Sequence, residues 1–251
     1  RASLRGLGRT FAWPAAFALA CGVILVALGA GSSIPGLLGY TFCAFALASI
    51  VLEFVRGTRA RHALGSSSWP GAFSSLVGRN RRRYGGYVVH VSIVLLAIGI
   101  VGSSAYDTIS DAQLRPGQSM SVAGYDLRYR GVEESRGANA QEIRAVVDVS
   151  RDGEQLGTLR PGKNRYFAEQ QVSNEAAIRS DPLNGEDLFL IADQIDGETV
   201  FLRVLVKPLV NLLWIAGFVF LAGAAIALWP DAREQRRLAV RYGRSEALAR
   251  A

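Results

Sequence analysis

Four long apolar runs punctuate the chain, at 11–30, 37–55, 87–105 and 208–229. Each approaches or exceeds the ~20 residues that a helix needs to cross a bilayer. A soluble core of this length would break into shorter amphipathic pieces. Trp13-Pro14 opens the first span, with proline in the first helical turn, and the tight turn 32–36 makes spans one and two a helical hairpin. Between the third and fourth runs the period changes from continuous to alternating. Tyr125, Leu127 and Tyr129 alternate with Asp126, Arg128 and Arg130, the pattern of a half-buried strand. Segments 119–122 and 125–130 flank Ala123-Gly124, 143–149 and 155–159 flank Asp152-Gly153, and 187–193 and 198–206 flank Asp196-Gly197. Dipeptides of this kind mark hairpins. The pattern predicts an α-helical integral membrane protein with four transmembrane helices and a β-rich extracytoplasmic domain inserted between helices three and four. Its segments are an arm at 1–10, a helical hairpin at 11–55, a loop at 56–86, a span at 87–105, the β domain at 106–206, a last span at 207–229 and a tail at 230–251.

The chain is 50% hydrophobic and 20% charged, with a net charge of +7, and the charges are segregated. The arm carries Arg1, Arg5 and Arg9 without an acid. The loop 56–86 carries seven arginines and no acid, and the tail six arginines against three acids. By the positive-inside rule these three segments share the cytoplasmic side, leaving 106–206 outside. That stretch holds seventeen acids and eleven bases, so the basic balance reports topology and gives no support to nucleic-acid binding. The chain does not begin with methionine and has no signal-peptide cleavage pattern, so it is expected to start within a longer polypeptide.

Little catalytic chemistry is available outside the membrane. No histidine or cysteine follows His90, so 106–206 has no imidazole-based or thiolate-based nucleophile or metal site. Cys21 and Cys43 lie in spans one and two without a C-x-x-C or C-x-x-C-H pattern, which suits buried packing and excludes a covalently attached c-type haem on this chain. His90 stands apart as an ionisable side chain within the third span, where it is costly without a partner. Three readings follow from the residues: a bond to a neighbouring helix, a proton relay, or axial ligation of haem iron by a neutral imidazole. Gly85 and Gly86, one turn earlier, would leave room for a large flat ring. The other histidine, His62, falls in the polar loop.

The segment Arg81-Arg82-Arg83-Tyr84-Gly85-Gly86-Tyr87-Val88-Val89-His90 resembles the entry to a late transmembrane helix of the CcmF family, the haem lyase subunits of cytochrome c biogenesis. Leu159-Arg160-Pro161-Gly162-Lys163-Asn164-Arg165-Tyr166 is similar to the family's L-x-P-E-K-R-x-Y stretch, with Gly162 in place of the glutamate and Asn164 interposed. Ser173-Asn174-Glu175-Ala176-Ala177-Ile178 resembles T-E-A-A-I, and Lys207-Pro208-Leu209-Val210-Asn211-Leu212-Leu213-Trp214-Ile215 resembles K-P-x-V-x-W-I-W. The four ordered matches cover the C-terminal part of the family.

That resemblance implies that His90 is one of two transmembrane histidines ligating a permanent haem b, with the second axial ligand outside this sequence. It implies a multi-pass protein of the bacterial inner membrane. Its partners would be the N-terminal part of a CcmF-like protein, the haem chaperone CcmE, apocytochrome c and thiol-handling subunits such as CcmH, with membrane lipid around it and quinol as the proposed electron source. The family's W-W-D segment is not in this sequence, so the chain alone would not be a complete haem lyase, and the rest would be a separate subunit or a missing part. A rival reading is a non-catalytic scaffold whose β domain binds a partner protein. A transporter subunit gains little, since the runs suggest no broken helix or internal charge pair.

Overall fold

A computed structural model of the 251-residue chain describes residues 4–65, 68–168, 171–182, 184–229 and 240. The chain divides into two compact units, one of Arg1–Gly31, Leu37–Ala97 and Trp214–Ala251, the other of Ser32–Gly36 and Ile98–Leu213. Helices α1 (Leu4–Ala27), α2 (Ile34–Ala63), α3 (Trp69–Arg79), α4 (Arg81–Ala105) and α5 (Asn211–Leu228) carry the first unit, and all but α3 are long and apolar enough to cross a membrane. The tail 230–251 lies outside the described residues apart from Val240.

The helices outrun the apolar runs. In α2 the run ends near Val55, but the helix continues through Arg56, Arg59, Arg61 and His62, so His62 sits in a last helical turn and not in a loop. Basic residues suit a helix C-terminus. Helix α4 likewise starts at Arg81, six residues before the apolar run. Pro14 is interior to α1, not at its opening, because the helix already runs from Leu4. The amide that proline lacks leaves the Thr10 carbonyl without its helical donor. Ser68 caps α3 by accepting a hydrogen bond from the Gly71 amide at 3.2 Å, with Pro70 in the first turn.

Small residues set the helix contacts. A Cβ at Gly85 would fall 2.5 Å from the Ala227 amide nitrogen, and one at Gly223 would fall 2.7 Å from that of Val89. Helices α4 and α5 therefore cross backbone to backbone at paired small residues, as membrane helices do where burial offers no drive. Near the other ends of the same helices, Gly99 receives Leu213 and Leu212.

The second unit is a sandwich of two antiparallel sheets. One has the order β1 (Thr108–Leu114), β10 (Thr199–Pro208), β9 (Glu186–Asp196), β8 (Ala177–Asp181). The other has the order β2 (Ser119–Val122), β3 (Tyr125–Arg136), β4 (Ala140–Arg151), β6 (Gly162–Tyr166), β7 (Val172–Glu175), with β5 (Glu154–Leu159) on the same edge of β4 as β6. All three expected hairpins form. Ala123, Gly124, Asp152 and Gly153 take positive φ at the first two turns, the tight-hairpin geometry that suits the strand twist. The core is built by alternation: Tyr125, Leu127 and Tyr129 of β3 and Ala145, Val147 and Val149 of β4 meet Leu188 and Leu190 of β9 and Val200, Leu202 and Val204 of β10.

Two tyrosines tie the sheets together through polar tips. The Tyr129 hydroxyl donates to the Glu198 carbonyl at 3.0 Å and that of Tyr125 to the Glu186 carboxylate at 3.1 Å. Arg151 pairs with the same Glu186 and lies over the Tyr125 ring. Burial pushes both phenols above their ordinary pKa, and the Glu186 charge adds to this for Tyr125. Within the second unit, the Lys207 ammonium donates to the Ser103 carbonyl and pairs with Asp107, each at 3.1 Å. Gly36, at the start of α2, leaves space for the Tyr106 ring, which a Cβ would approach to 2.6 Å.

Candidate functional site around His90

Helix α4 presents His90 on an exposed face together with Ile93, Leu96 and Ile100. These positions fall within one stripe at helical spacing. The imidazole Nδ1 lies 2.7 Å from the carbonyl oxygen of Gly86, one turn earlier in its own helix. A carbonyl only accepts, so Nδ1 carries the proton and Nε2 of the neutral ring keeps its lone pair. Histidines that bind metals are held in this way, with the second nitrogen donating to a carbonyl. The partner is thus the helix itself and not a neighbouring one.

The two glycines before His90 have different surroundings. Gly85 is taken up by the contact with Ala227, whereas a Cβ at Gly86 would meet nothing within 4 Å. The open surface is under His90 because helical side chains lean toward the N-terminus. Nε2 on this face is the ring nitrogen left to coordinate a metal centre carried by a bound group. Among the described residues no group of three or more His, Cys, Asp or Glu could hold a metal ion, so a cage of protein ligands is not what the residues offer. His62 is engaged elsewhere, its ring stacked on Trp69 with centroids 4.3 Å apart and 21° between planes.

The sequence reading missed a polar cluster on the same helix. Arg83 donates to the Glu53 carboxylate of α2 at 2.7 Å and to the Tyr87 hydroxyl at 3.2 Å, and Tyr87 reaches Glu53 at 3.5 Å. Phe54 contacts the rings of Tyr84 and Tyr87 beside it. The spacing was visible, since Arg83, Tyr87 and His90 stand at i, i+4 and i+7, on one side of α4. Glu53, the carboxylate within the second apolar run, thus has a counter-charge, supplied by Arg83 from the loop side of the third run. The pair is partly solvated and lies in the first turn of α4, so it secures two helices where they leave the apolar region and does not mark a path through them.

Among its described residues the β sandwich carries no equivalent centre. Its outward features are ion pairs such as Arg203 with Asp111 at 3.0 Å and Arg203 with Asp193 at 3.2 Å. One row crosses the outer face of the four-stranded sheet as Ile109, Leu205, Phe189 and Ile178, in direct register. The segments quoted for the family resemblance after the span fall on β6, on β7 and β8, and on the end of β10 with the start of α5.

Comparison with known proteins gives a consistent match. A family model described as the CcmF C-terminal beta-sandwich matches residues 105–208. The cytochrome c-type biogenesis protein CycK of Rhizobium meliloti is 30% identical over 212 residues, covering 84% of this chain and 29% of that protein. The cytochrome c-type biogenesis protein CcmF of Pseudomonas aeruginosa is 30% identical over 168 residues, covering 66% of this chain and 25% of that protein. A solved structure of the cytochrome c haem lyase CcmF superposes with a TM-score of 0.68 at 24% identity, over 91% of this chain and 35% of that one. The chain thus spans less than a third of the curated relatives' length.

Proposed function

This chain belongs to the CcmF family as its C-terminal region, and from that premise we propose that it serves the cytochrome c maturation haem lyase by holding a b-type haem through His90. The observation that carries the reading is the imidazole itself: Nδ1 bonded to Gly86, Nε2 unengaged by that bond, and open helix surface beneath. Haem, when bound, supplies one-electron chemistry. The chain supplies orientation. Gly86 fixes the tautomer and the ring direction, which keeps Nε2 available as a ligand, and the apolar residues Ile93 and Leu96 limit water on that face. The other protein ligand to the haem would come from the N-terminal part of the same kind of protein.

In the assembled lyase, haem passes from the chaperone CcmE to an apocytochrome whose C-x-x-C-H thiols are presented by thiol-handling subunits such as CcmH. A b haem held by His90 would supply the one-electron chemistry, with quinol as donor, that keeps the incoming iron ferrous. The β sandwich faces the extracytoplasmic side and provides docking, which its ion-paired surface and apolar outer row suit better than catalysis. The four long helices cross the bacterial inner membrane, with the arginine-rich loop and arm in the cytoplasm. The test is the visible spectrum of the full assembly purified with His90→Ala. Loss of the b-type bands at unchanged protein yield is expected, and an unchanged spectrum contradicts the reading.

A further inference from the structure

Two grooves run along α2 and share a wall. The first, about 550 Å³ between α2 and α3, is lined by Val51, Phe54, Thr58, Arg59, Trp69 and Phe73. The second, about 280 Å³ between α1 and α2, takes in Phe17 and Leu47 and shares Val51 and Val55 with the first. Arg59 is the sole charged residue lining either groove, and it makes no ion pair among the described residues. In the wall of the first groove Trp69 is stacked on His62, and Phe73 contacts Phe54. From Arg59 to Leu47 the track covers about 18 Å of helix at ~1.5 Å per residue. One leaflet of a ~30 Å hydrocarbon core is about 15 Å deep.

We propose that these grooves seat one anionic phospholipid, its phosphate at Arg59 and an acyl chain along Val55, Val51 and Leu47. The charge on the page selects the headgroup. The stretch 56–83 holds seven arginines and no acid, so a net negative lipid gains what a zwitterionic one does not. The dimensions select the chain, because the apolar track starts at the arginine and is one leaflet long. Trp69 has the amphipathic ring found where headgroups meet tails. A neutral quinone would leave Arg59 without a counter-charge at the mouth. The inference rests on the cytoplasmic location proposed for 56–86, which gives the site to the inner leaflet.

The experiment uses the full assembly, stripped of lipid in detergent and offered equal palmitoyl-oleoyl phosphatidylglycerol and palmitoyl-oleoyl phosphatidylcholine, with retained lipid counted by native mass spectrometry. One phosphatidylglycerol is expected to remain, preferred roughly fivefold or more. Arg59→Gln brings the two lipids toward parity, Arg59→Lys keeps the preference, and Val55→Phe, which fills the shared wall, removes retention of both. Equal retention by the unmodified protein, an unchanged preference in Arg59→Gln, or recovery of a quinone in place of lipid overturns the proposal. The b-type absorbance is recorded on the same samples. Equal retention of the two lipids by the unmodified protein with intact absorbance defeats the lipid site alone, and unchanged absorbance in His90→Ala with the lipid preference intact defeats the haem reading alone.

Discussion

At the scale of single residues, adjacent glycines on α4 carry different duties, and that difference can be measured. Gly85 is buried against Ala227 while Gly86 faces open space. Gly85→Val should therefore cost about 1–3 kcal/mol by overpacking, read as a lower thermal midpoint of the purified protein. Gly86→Leu should leave that midpoint within a few degrees and yet abolish the b-type absorbance, because the surface under His90 is filled. Equal thermal losses in both variants would show that the assignment of the two glycines is mistaken. The sequence made His90 legible because an imidazole in an apolar run is rare and expensive. It could not distinguish Gly85 from Gly86, since which side of α4 meets α5 depends on a crossing between segments more than a hundred residues apart. The Glu53 pair was hidden because it depends on how α2 meets α4.

Among the elements, hairpins were readable and isolated strands were not. Asp152-Gly153 and Ala123-Gly124 declare their turns locally through positive φ. Strands β1, β6 and β8 have short or irregular alternation and exist because β10, β4 and β9 offer edges to pair with, and β7 in turn pairs with β6. The inter-sheet tyrosines give this unit a pH signature. Folded-state pKa values of Tyr125 and Tyr129 lie above their ordinary ones, so their contribution is complete below about pH 10 and is lost as pH rises through the raised values. Asp148 acts at the other end. Hydrogen bonds from Arg130, then Thr158, hold its pKa down, so its contribution is present above about pH 4 and fades as pH falls through the lowered value. Near-ultraviolet circular dichroism against pH should show tyrosine packing lost at an alkaline edge, and Tyr129→Phe, which removes the hydrogen bond to Glu198, should cost about 1 kcal/mol. An alkaline edge well below pH 10 would contradict the burial of these phenols.

For the molecule as a whole, four membrane-length helices and the sandwich were foreseeable from the runs and the alternation, while the helix ends were not. Apolar runs report the bilayer, whereas helices such as α2 and α4 continue through their arginines until a cap or a turn stops them. The proposed topology predicts that reporter fusions after Arg61 read cytoplasmic and one after Asp152 reads extracytoplasmic, and a reversal of either would overturn it. The proposed role depends most on His90 as an iron ligand. The most direct measurement is the reduced-minus-oxidised spectrum of the full assembly carrying either His90→Ala or His62→Ala. The b-type bands should vanish in the first and persist in the second, whose ring is already occupied by Trp69. Bands that survive His90→Ala at full intensity would contradict the assignment.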